Sequence, residues 1–256
     1  MALVDKPSVP YRTALVTGAS SGLGRGLALW FARRGVRVWA AARRADRLEA
    51  LRAELADRIV PVVLDVSDAA ATVARVEAID RESDGLDLVI ANAGVGEDVP
   101  AKRLNWPLAQ RTLQVNVVGS VATLSAALPG MVARGRGHLV GMSSMAAFRG
   151  LPRHAGYSAS KAYLATWLES VRVDLASTPI RVTCIHPGFV KSELTAKNRF
   201  SMWWLLETDD AVERMGRAIV RKKPVYRFPL PMSLLMRGAR MIPDALYDRI
   251  ARAVRG

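Results

Sequence analysis

The sequence predicts a doubly wound α/β fold, a parallel sheet with helices on both faces. Three observations predict it. Short runs of Val, Ile, Leu and Ala alternate with helical segments from residue 11 to residue 195. The strand-like runs are almost continuously apolar, the mark of parallel strands covered on both sides. The first run ends in the glycine-rich stretch TGASSGLG, residues 17–24, directly ahead of a helical segment. Right-handed crossovers between parallel strands then wind the chain into one sheet.

The elements follow in order. TALVTG is a β-forming run closed by Gly18, and GLGRGLALWFARRG continues with helical spacing to Gly35, glycine being the usual residue just past a helix end. VRVWAAA is a second strand, and RADRLEALRAELA an amphipathic helix with Leu48, Leu51 and Leu55 on one face. IVPVVLDV is a third strand, and SDAAATVARVEAIDRES a helix opened by a Ser/Asp cap. LDLVIANAG is a fourth strand, 107–134 a long helical region, GHLVGMSS a fifth strand, 156–176 a helix and IRVTCIHPG a sixth strand. Beyond 195 the pattern changes. AKNRFSMWWLLETDD is apolar and aromatic without a period, DDAVERMGRAIVRKK a capped helix, PVYRFPL a short strand, and SLLMRGARMIPDALYDRIARAVRG one or two amphipathic helices. Residues 1–195 are expected to form the ligand-binding and catalytic core. Residues 196–256 are expected to form a lid and a C-terminal helical appendage of the same domain.

Composition narrows the function. A chain of 256 residues, half of them apolar, suffices for one large α/β domain and is unlike a disordered chain. No run is expected to reach the ~20 apolar residues that cross a bilayer. The first residues carry Asp5 and two prolines in place of a signal-like apolar block, so a cytoplasmic protein is expected. Cys184 is the only cysteine, which leaves no intrachain disulfide and no cysteine zinc site; in RVTCIHPG it reads as a core thiol. The net charge is +14, but the longest basic run is RKK at 221–223. Scattered arginines fit solvated helix faces, or attraction of phosphate-bearing small molecules, better than a nucleic-acid surface. The three histidines form no cluster with carboxylates, so no metal is expected.

Gly18, Gly22 and Gly24 sit where a strand turns into a helix. Glycines there let the backbone approach a pyrophosphate, and the helix start offers free N–H groups and a positive dipole end; a tight turn without a ligand is the alternative. A carboxylate at the end of the second strand would bind the ribose diol of NAD. The sequence has Ala42 followed by Arg43 and Arg44, which suit a 2′-phosphate. NADP(H) is therefore the preferred cofactor and NAD(H) a possible one, unless both arginines are merely solvated helix-start residues. Asp65 in LDVSD, with Val66 beside it, is placed either for the adenine edge or to cap the next helix.

In YSASK, Tyr157 and Lys161 lie one helical turn apart on one face. A phenol ordinarily loses its proton near pH ~10, and a neighbouring positive charge lowers that value. The pair is an acid/base group tuned toward neutrality, or two surface residues.

Taken together, TGASSGLG, NAG at 92–94, Asn116 in VNVVG, GMSS at 141–144, YSASK and HPGFV at 186–190 resemble the short-chain dehydrogenase/reductase family over about residues 11–195. The resemblance implies a Rossmann-like fold of seven parallel strands and reversible hydride transfer between a nicotinamide and a carbonyl or alcohol. It implies Tyr157 as general acid in reduction and base in oxidation, and Lys161 lowering the phenol pKa while binding the nicotinamide ribose. Ser144, thirteen residues before Tyr157, would donate to the substrate oxygen, with the adjacent Ser143 the weaker candidate. Asn116 would hold a water that links Lys161 to solvent. Gly18, Ser20, Ser21, Gly22, Leu23, Gly24, Arg43, Arg44, Asp65, Val66, Asn92, Ala93, Gly94, Pro187, Gly188, Val190 and Ser192, with Tyr157 and Lys161, would line the cofactor. Ser21 stands where NADP-preferring relatives often carry a basic residue, and Ser192 where the family more often has threonine.

The lid expected after HPGFV contains Phe200, Met202, Trp203, Trp204, Leu205 and Leu206. It fits a hydrophobic carbonyl substrate, or packing against the C-terminal segment. His154 precedes Tyr157 in a loop and is a possible substrate contact, while His138 and His186 read as structural. The segment from 230 onward could lie on an anionic membrane surface, join two subunits or pack on the core. The resemblance implies a homodimer or homotetramer formed through the helices at 107–134 and 156–176. An NADP-binding regulator without turnover is the rival reading; Asn116, Ser144, Tyr157 and Lys161 argue against it.

Overall fold

The chain winds out from the centre of the sheet, returns, and winds out again on the other side. The strands are β1 (Thr13–Thr17), β2 (Arg37–Ala42), β3 (Ile59–Val63), β4 (Leu88–Ala91), β5 (His138–Met142), β6 (Arg181–Pro187) and β7 (Val225–Phe228). Their order is β3-β2-β1-β4-β5-β6-β7, and every pair is parallel. The computed structural model describes residues 9–96, 98–196 and 202–253; Asp5 and Phe200, named above, lie outside them. Strand order reverses between β1 and β4, and a doubly wound sheet binds ligands in the crevice at the carboxyl ends of those two strands.

Alternate strand residues feed two cores. Ala14 and Val16 of β1 join Leu27, Phe31, Leu48, Met215 and Ile219 on one face. Leu15 joins Val76, Ile79, Leu124, Leu164 and Leu168 on the other. The helices are α1 (Gly22–Ala32), α2 (Ala45–Glu54), α3 (Ala69–Glu82), α4 (Trp106–Leu113), α5 (Ser120–Arg134), α6 (Ala155–Asp174), α7 (Thr208–Val220), α8 (Leu230–Met241) and α9 (Asp244–Ala253). Residues beyond 195 enter the core directly. β7 pairs with β6, and α7 lies against α1, where the Trp30 indole donates to Glu213 Oε2 at 2.6 Å. Much of α8 and α9 is exposed, including Leu234, Met241, Leu246 and Ile250.

The long helical region is continuous from Trp106 to Arg134 but not uniform. Residues Gln114–Gly119 form a π-helical turn between α4 and α5, a local widening common at functional sites. By length and composition this 29-residue rod could cross a bilayer, contrary to the expectation from apolar runs alone. Half of its most apolar window is buried within the fold, where Leu124, Ala127 and Met131 fill the second core.

Polar groups close the opposite end of the sheet, where the strands begin. Tyr11 Oη lies 2.7 Å from His138 Nδ1, whose Nε2 lies 2.8 Å from Thr183 Oγ1. Burial, aided by Lys222 and Arg181, holds the His138 imidazole down to about 3. The unfolded imidazole takes a proton near 6.5 while the folded one refuses it until far lower. The unfolded state therefore binds more protons in that window, and stability is full above it and lost as pH falls through it. Thermal melts are expected to show Tm falling as pH is lowered from about 6.5 toward 4. The slope should be shallower in His138→Gln, and an unchanged slope would remove His138 as its source.

Candidate active site

The crevice is built where β1 and β4 end. Thr17 Oγ1 accepts from Asn92 N at 3.0 Å and Ala93 N at 3.1 Å, and Asn92 Nδ2 donates to Thr17 O at 2.9 Å. These bonds lash the NAG turn to the glycine turn. Gly18 has φ +68°, and a Cβ on Gly24 would stand 2.3 Å from Gly18 O and 2.4 Å from Asn92 Nδ2. Only hydrogen fits at buried Gly24, which lets α1 pack closely on the glycine turn and Asn92.

The start of α1 is left open. Asp68 caps α3 by accepting from Ala71 N, and Asn105 caps α4 by accepting from Leu108 N. Ser21 at the N-cap of α1 makes no such bond and instead accepts from Arg44 Nη2 at 2.8 Å. Arg44 also donates to Ser20 Oγ from Nε at 3.2 Å and Nη2 at 3.0 Å. An uncapped helix start with a guanidinium beside it is an anion seat.

The two arginines part company. Arg44 covers the glycine turn, whereas Arg43 faces Asp65 at 3.7 Å. Asp65 also accepts from Ser67 N and Oγ. Burial pushes its carboxyl up, but the Ser67 hydrogen bonds and Arg43 outweigh it and hold the group below its usual value. Asp65 is not the cap of the next helix; Asp68 is. Val66 is buried and packs against Gly119 of the π turn.

On the other wall, Ser144 begins a short turn at Met145–Ala147 and accepts from Ala146 N at 3.2 Å. Its hydroxyl is hydrogen-bonded to the Tyr157 phenol. Ser143 is buried and donates to Lys161 O at 2.8 Å, so of the two serines only Ser144 reaches the phenol. Lys161 is buried, with Nζ donating to Met142 O at 2.7 Å and standing 5.8 Å from the Tyr157 ring centre. A Cβ on Gly94 would lie 3.3 Å from that Nζ.

The electrostatics differ from the sequence expectation. Burial pushes the Tyr157 phenol up, and the Ser144 hydrogen bond opposes it only in part. Burial also pushes the Lys161 ammonium down, to about 8. No lowering by Lys161 offsets the rise of the Tyr157 phenol; the amine head donates to the Met142 carbonyl and stands 5.8 Å from the ring centre.

Asn116 joins two elements of the site. It is fully buried in the π turn. Oδ1 accepts from Val95 N at 2.8 Å, while Nδ2 donates to Val95 O and Ser160 Oγ, both at 2.9 Å. Ser160 in turn donates to Tyr157 O at 2.8 Å. The side chain therefore clamps the segment following NAG to α6.

His186, read from the sequence as structural, holds the wall behind Ser144. Its Nδ1 lies 3.1 Å from Ser144 O and its Nε2 3.3 Å from Cys184 Sγ. A carbonyl only accepts, so Nδ1 carries the proton and Nε2 accepts from the thiol. Burial holds the imidazole down to about 4 and pushes the thiol up to about 12, keeping both neutral and the Ser144 carbonyl anchored. The HPG triplet gave the position but not the partner. His154 is the N-cap of α6, three residues ahead of Tyr157.

Past β6, Gly188 N donates to Phe228 O at 2.7 Å, and Val190, buried, bridges Leu206. Ser192 N donates to Thr195 Oγ1 at 3.0 Å, closing a turn over residues 192–195. Trp203 and Trp204 meet edge to face with their rings 6.3 Å apart and are 63% and 45% exposed, so they do not pack beneath the C-terminal helices. Those helices meet the site elsewhere. Arg149, in the loop after β5, pairs with Asp244 at 2.7 Å and lies over the Tyr247 ring, whose hydroxyl donates to Gly150 O.

A doubly wound sheet that opens a glycine turn at its switch point and brings a phenol to the same crevice is the framework of a dinucleotide-dependent oxidoreductase. The family model described as short chain dehydrogenase matches residues 12–202, and the chain belongs to that family of dehydrogenase/reductase enzymes. A Myxococcus xanthus protein named as an oxidoreductase is 59% identical over 248 residues, 96% of this chain and 98% of its own. A short-chain dehydrogenase from Sphingobium yanoikuyae in complex with NADPH is 26% identical, with TM-score 0.78, over 95% of this chain and 94% of its own. A 3-ketoacyl-(acyl-carrier-protein) reductase from Brucella melitensis complexed with NADH is also 26% identical, with TM-score 0.79, over 87% of this chain and 98% of its own.

Proposed function

We propose that the protein is an NADP(H)-dependent oxidoreductase that interconverts a hydrophobic carbonyl compound and its alcohol. The observation that carries the cofactor reading is Arg44 set over Ser20 and Ser21 at the uncapped start of α1. Similar proteins are recorded with NADPH and with NADH, so the preference rests on the arginines. The glycines keep side chains out of the closely packed turn beside the crevice: a Cβ on Gly18 or Gly24 would meet Asn92 and neighbouring backbone, and one on Gly94 would meet Lys161. The glycine turn would take the pyrophosphate, Arg44 the 2′-phosphate, Arg43 and Asp65 the adenosine side, and Lys161 the nicotinamide ribose.

When bound, the nicotinamide supplies or takes the hydride. In reduction, Tyr157 Oη gives its proton to the substrate oxygen as the carbonyl carbon gains hydride; in oxidation it takes that proton back. Ser144 Oγ donates to the same oxygen and stabilises the charge that develops there. The raised phenol pKa keeps Tyr157 protonated for reduction, and positive charge on an oxidised nicotinamide acts against that rise in the reverse direction. Exposed Trp203 and Trp204 beside the bridge from Val190 to Leu206 support an apolar substrate. Exposed Val132, Tyr163 and Val173 on α5 and α6 support pairing of subunits through those helices.

The test is a comparison of initial rates with NADPH and NADH across ketones and aldehydes. Arg44→Ala is expected to raise the KM for NADPH at least about tenfold and that for NADH by less than about threefold. Equal effects on both would remove the 2′-phosphate assignment. Wild-type protein that binds NADPH and turns over no carbonyl or alcohol would favour the regulator reading.

A further inference from the structure

The Arg44 guanidinium is shared between two walls of the crevice. Nε and Nη2 hold the Ser20 and Ser21 hydroxyls on the glycine turn. Nη1 meets a carboxylate from the opposite wall, Glu193, at 3.0 Å to Oε2 and 3.3 Å to Oε1. Glu193 belongs to the turn 192–195 that follows β6. That turn crosses the crevice at two further points. Ser192 Cβ lies 3.4 Å from where a Cβ on Gly22 would stand, and Leu194 Cδ1 lies 3.1 Å from the equivalent point on Gly96. Glu193 thus rests an anion on the cation that faces the phosphate turn.

We propose that Glu193 is a specificity-determining residue whose carboxylate stands in for the dinucleotide 2′-phosphate on Arg44 and must be displaced by it. The proposal rests on the reading that Arg44 grips that phosphate. A phosphate monoester carries more charge and more acceptor oxygens than one carboxylate, so it wins the guanidinium. NAD, which lacks that group, leaves the Arg44–Glu193 pair in place and the 192–195 turn tied to the glycine turn. Burial pushes the Glu193 carboxyl up, but hydrogen bonds from Arg44 and Ser21 and the charges of Arg44 and Arg47 hold it below its usual value, so it competes as an anion throughout the neutral range. The pair is partly exposed, 41% for Arg44 and 54% for Glu193, and solvent screening keeps the competition modest.

The test measures dissociation constants for NADP⁺, NAD⁺ and adenosine 2′,5′-bisphosphate by calorimetry. The proteins compared are wild type, Glu193→Gln, Arg44→Ala and the double variant. Glu193→Gln is expected to tighten NADP⁺ and the bisphosphate by about threefold to fivefold and to leave NAD⁺ within about twofold. In the Arg44→Ala background the same change should have no further effect, since the competition needs the guanidinium. Unchanged or weaker NADP⁺ binding by Glu193→Gln, or equal tightening of NAD⁺, would overturn the proposal while leaving the cofactor reading intact. Wild-type protein that binds NADP⁺ no more tightly than NAD⁺, with Arg44→Ala altering neither, would overturn both.

Discussion

Tyr157→Phe is expected to lower kcat for carbonyl reduction by about a thousandfold and to leave NADPH affinity within about twofold, read from steady-state rates and from cofactor titration. Phenylalanine keeps the ring and its distance from Lys161 Nζ and removes only the hydroxyl. What disappears is the proton donor and the partner of the Ser144 hydroxyl. Burial raises the phenol pKa, so Tyr157 is a protonated acid across the neutral range and reduction is its easier direction. Oxidation needs the deprotonated form and is expected to gain rate as pH rises. Wild-type kcat for alcohol oxidation should therefore climb through neutral and alkaline pH, while kcat for reduction stays flat over the same interval until the phenol titrates. Substantial residual reduction by Tyr157→Phe would move the proton to another group, and Ser144 is the nearest hydroxyl.

The sheet was legible because its strands are apolar on both sides, a pattern that survives without knowledge of neighbours. β1 alternates residues between two cores, and both sets are apolar. The glycine turn was legible for a related reason: Gly18 and Gly24 are demanded by local backbone, one by positive φ and one by a contact six residues away. The site was legible as residue types and spacings, and illegible as bonds. A period of four residues places Tyr157 over Lys161 but does not say that the amine is given to Met142 O. The π turn at Gln114–Gly119 shares its hydrophobic period with the helices around it, so 107–134 read as one uniform helix. Long-range polar pairs left no trace in any window. Arg44 and Glu193 are 149 residues apart and His186 and Ser144 are 42 apart. Glu193 and His186, read alone, look like an ordinary surface residue and an ordinary strand residue.

The same distinction between residue type and bond governs Asn116. Asn116→Ala is expected to destabilise the protein by about 2–4 kcal/mol, because it leaves the Val95 N–H and C=O without their partners and opens a small cavity. In a chain of this size that corresponds to a fall in Tm of about 5–15 °C, measurable by thermal melts. Asn116→Asp is the sharper probe. A carboxylate can still accept from Val95 N, but it faces Val95 O and Ser160 Oγ without the amide donor that bonds both, and it buries a charge. Its Tm should fall at least as far as that of the alanine variant, although the side chain is nearly the same size. Ser160 Oγ carries the effect onward, since it donates to the Tyr157 carbonyl. A loosened clamp shifts the turn of α6 that presents the phenol, so kcat should fall in both variants while the KM for NADPH changes little. A role confined to holding a water would leave Tm unchanged and alter only the pH profile. Melting within about 1 °C of wild type for both variants would therefore sink the clamp and restore the water.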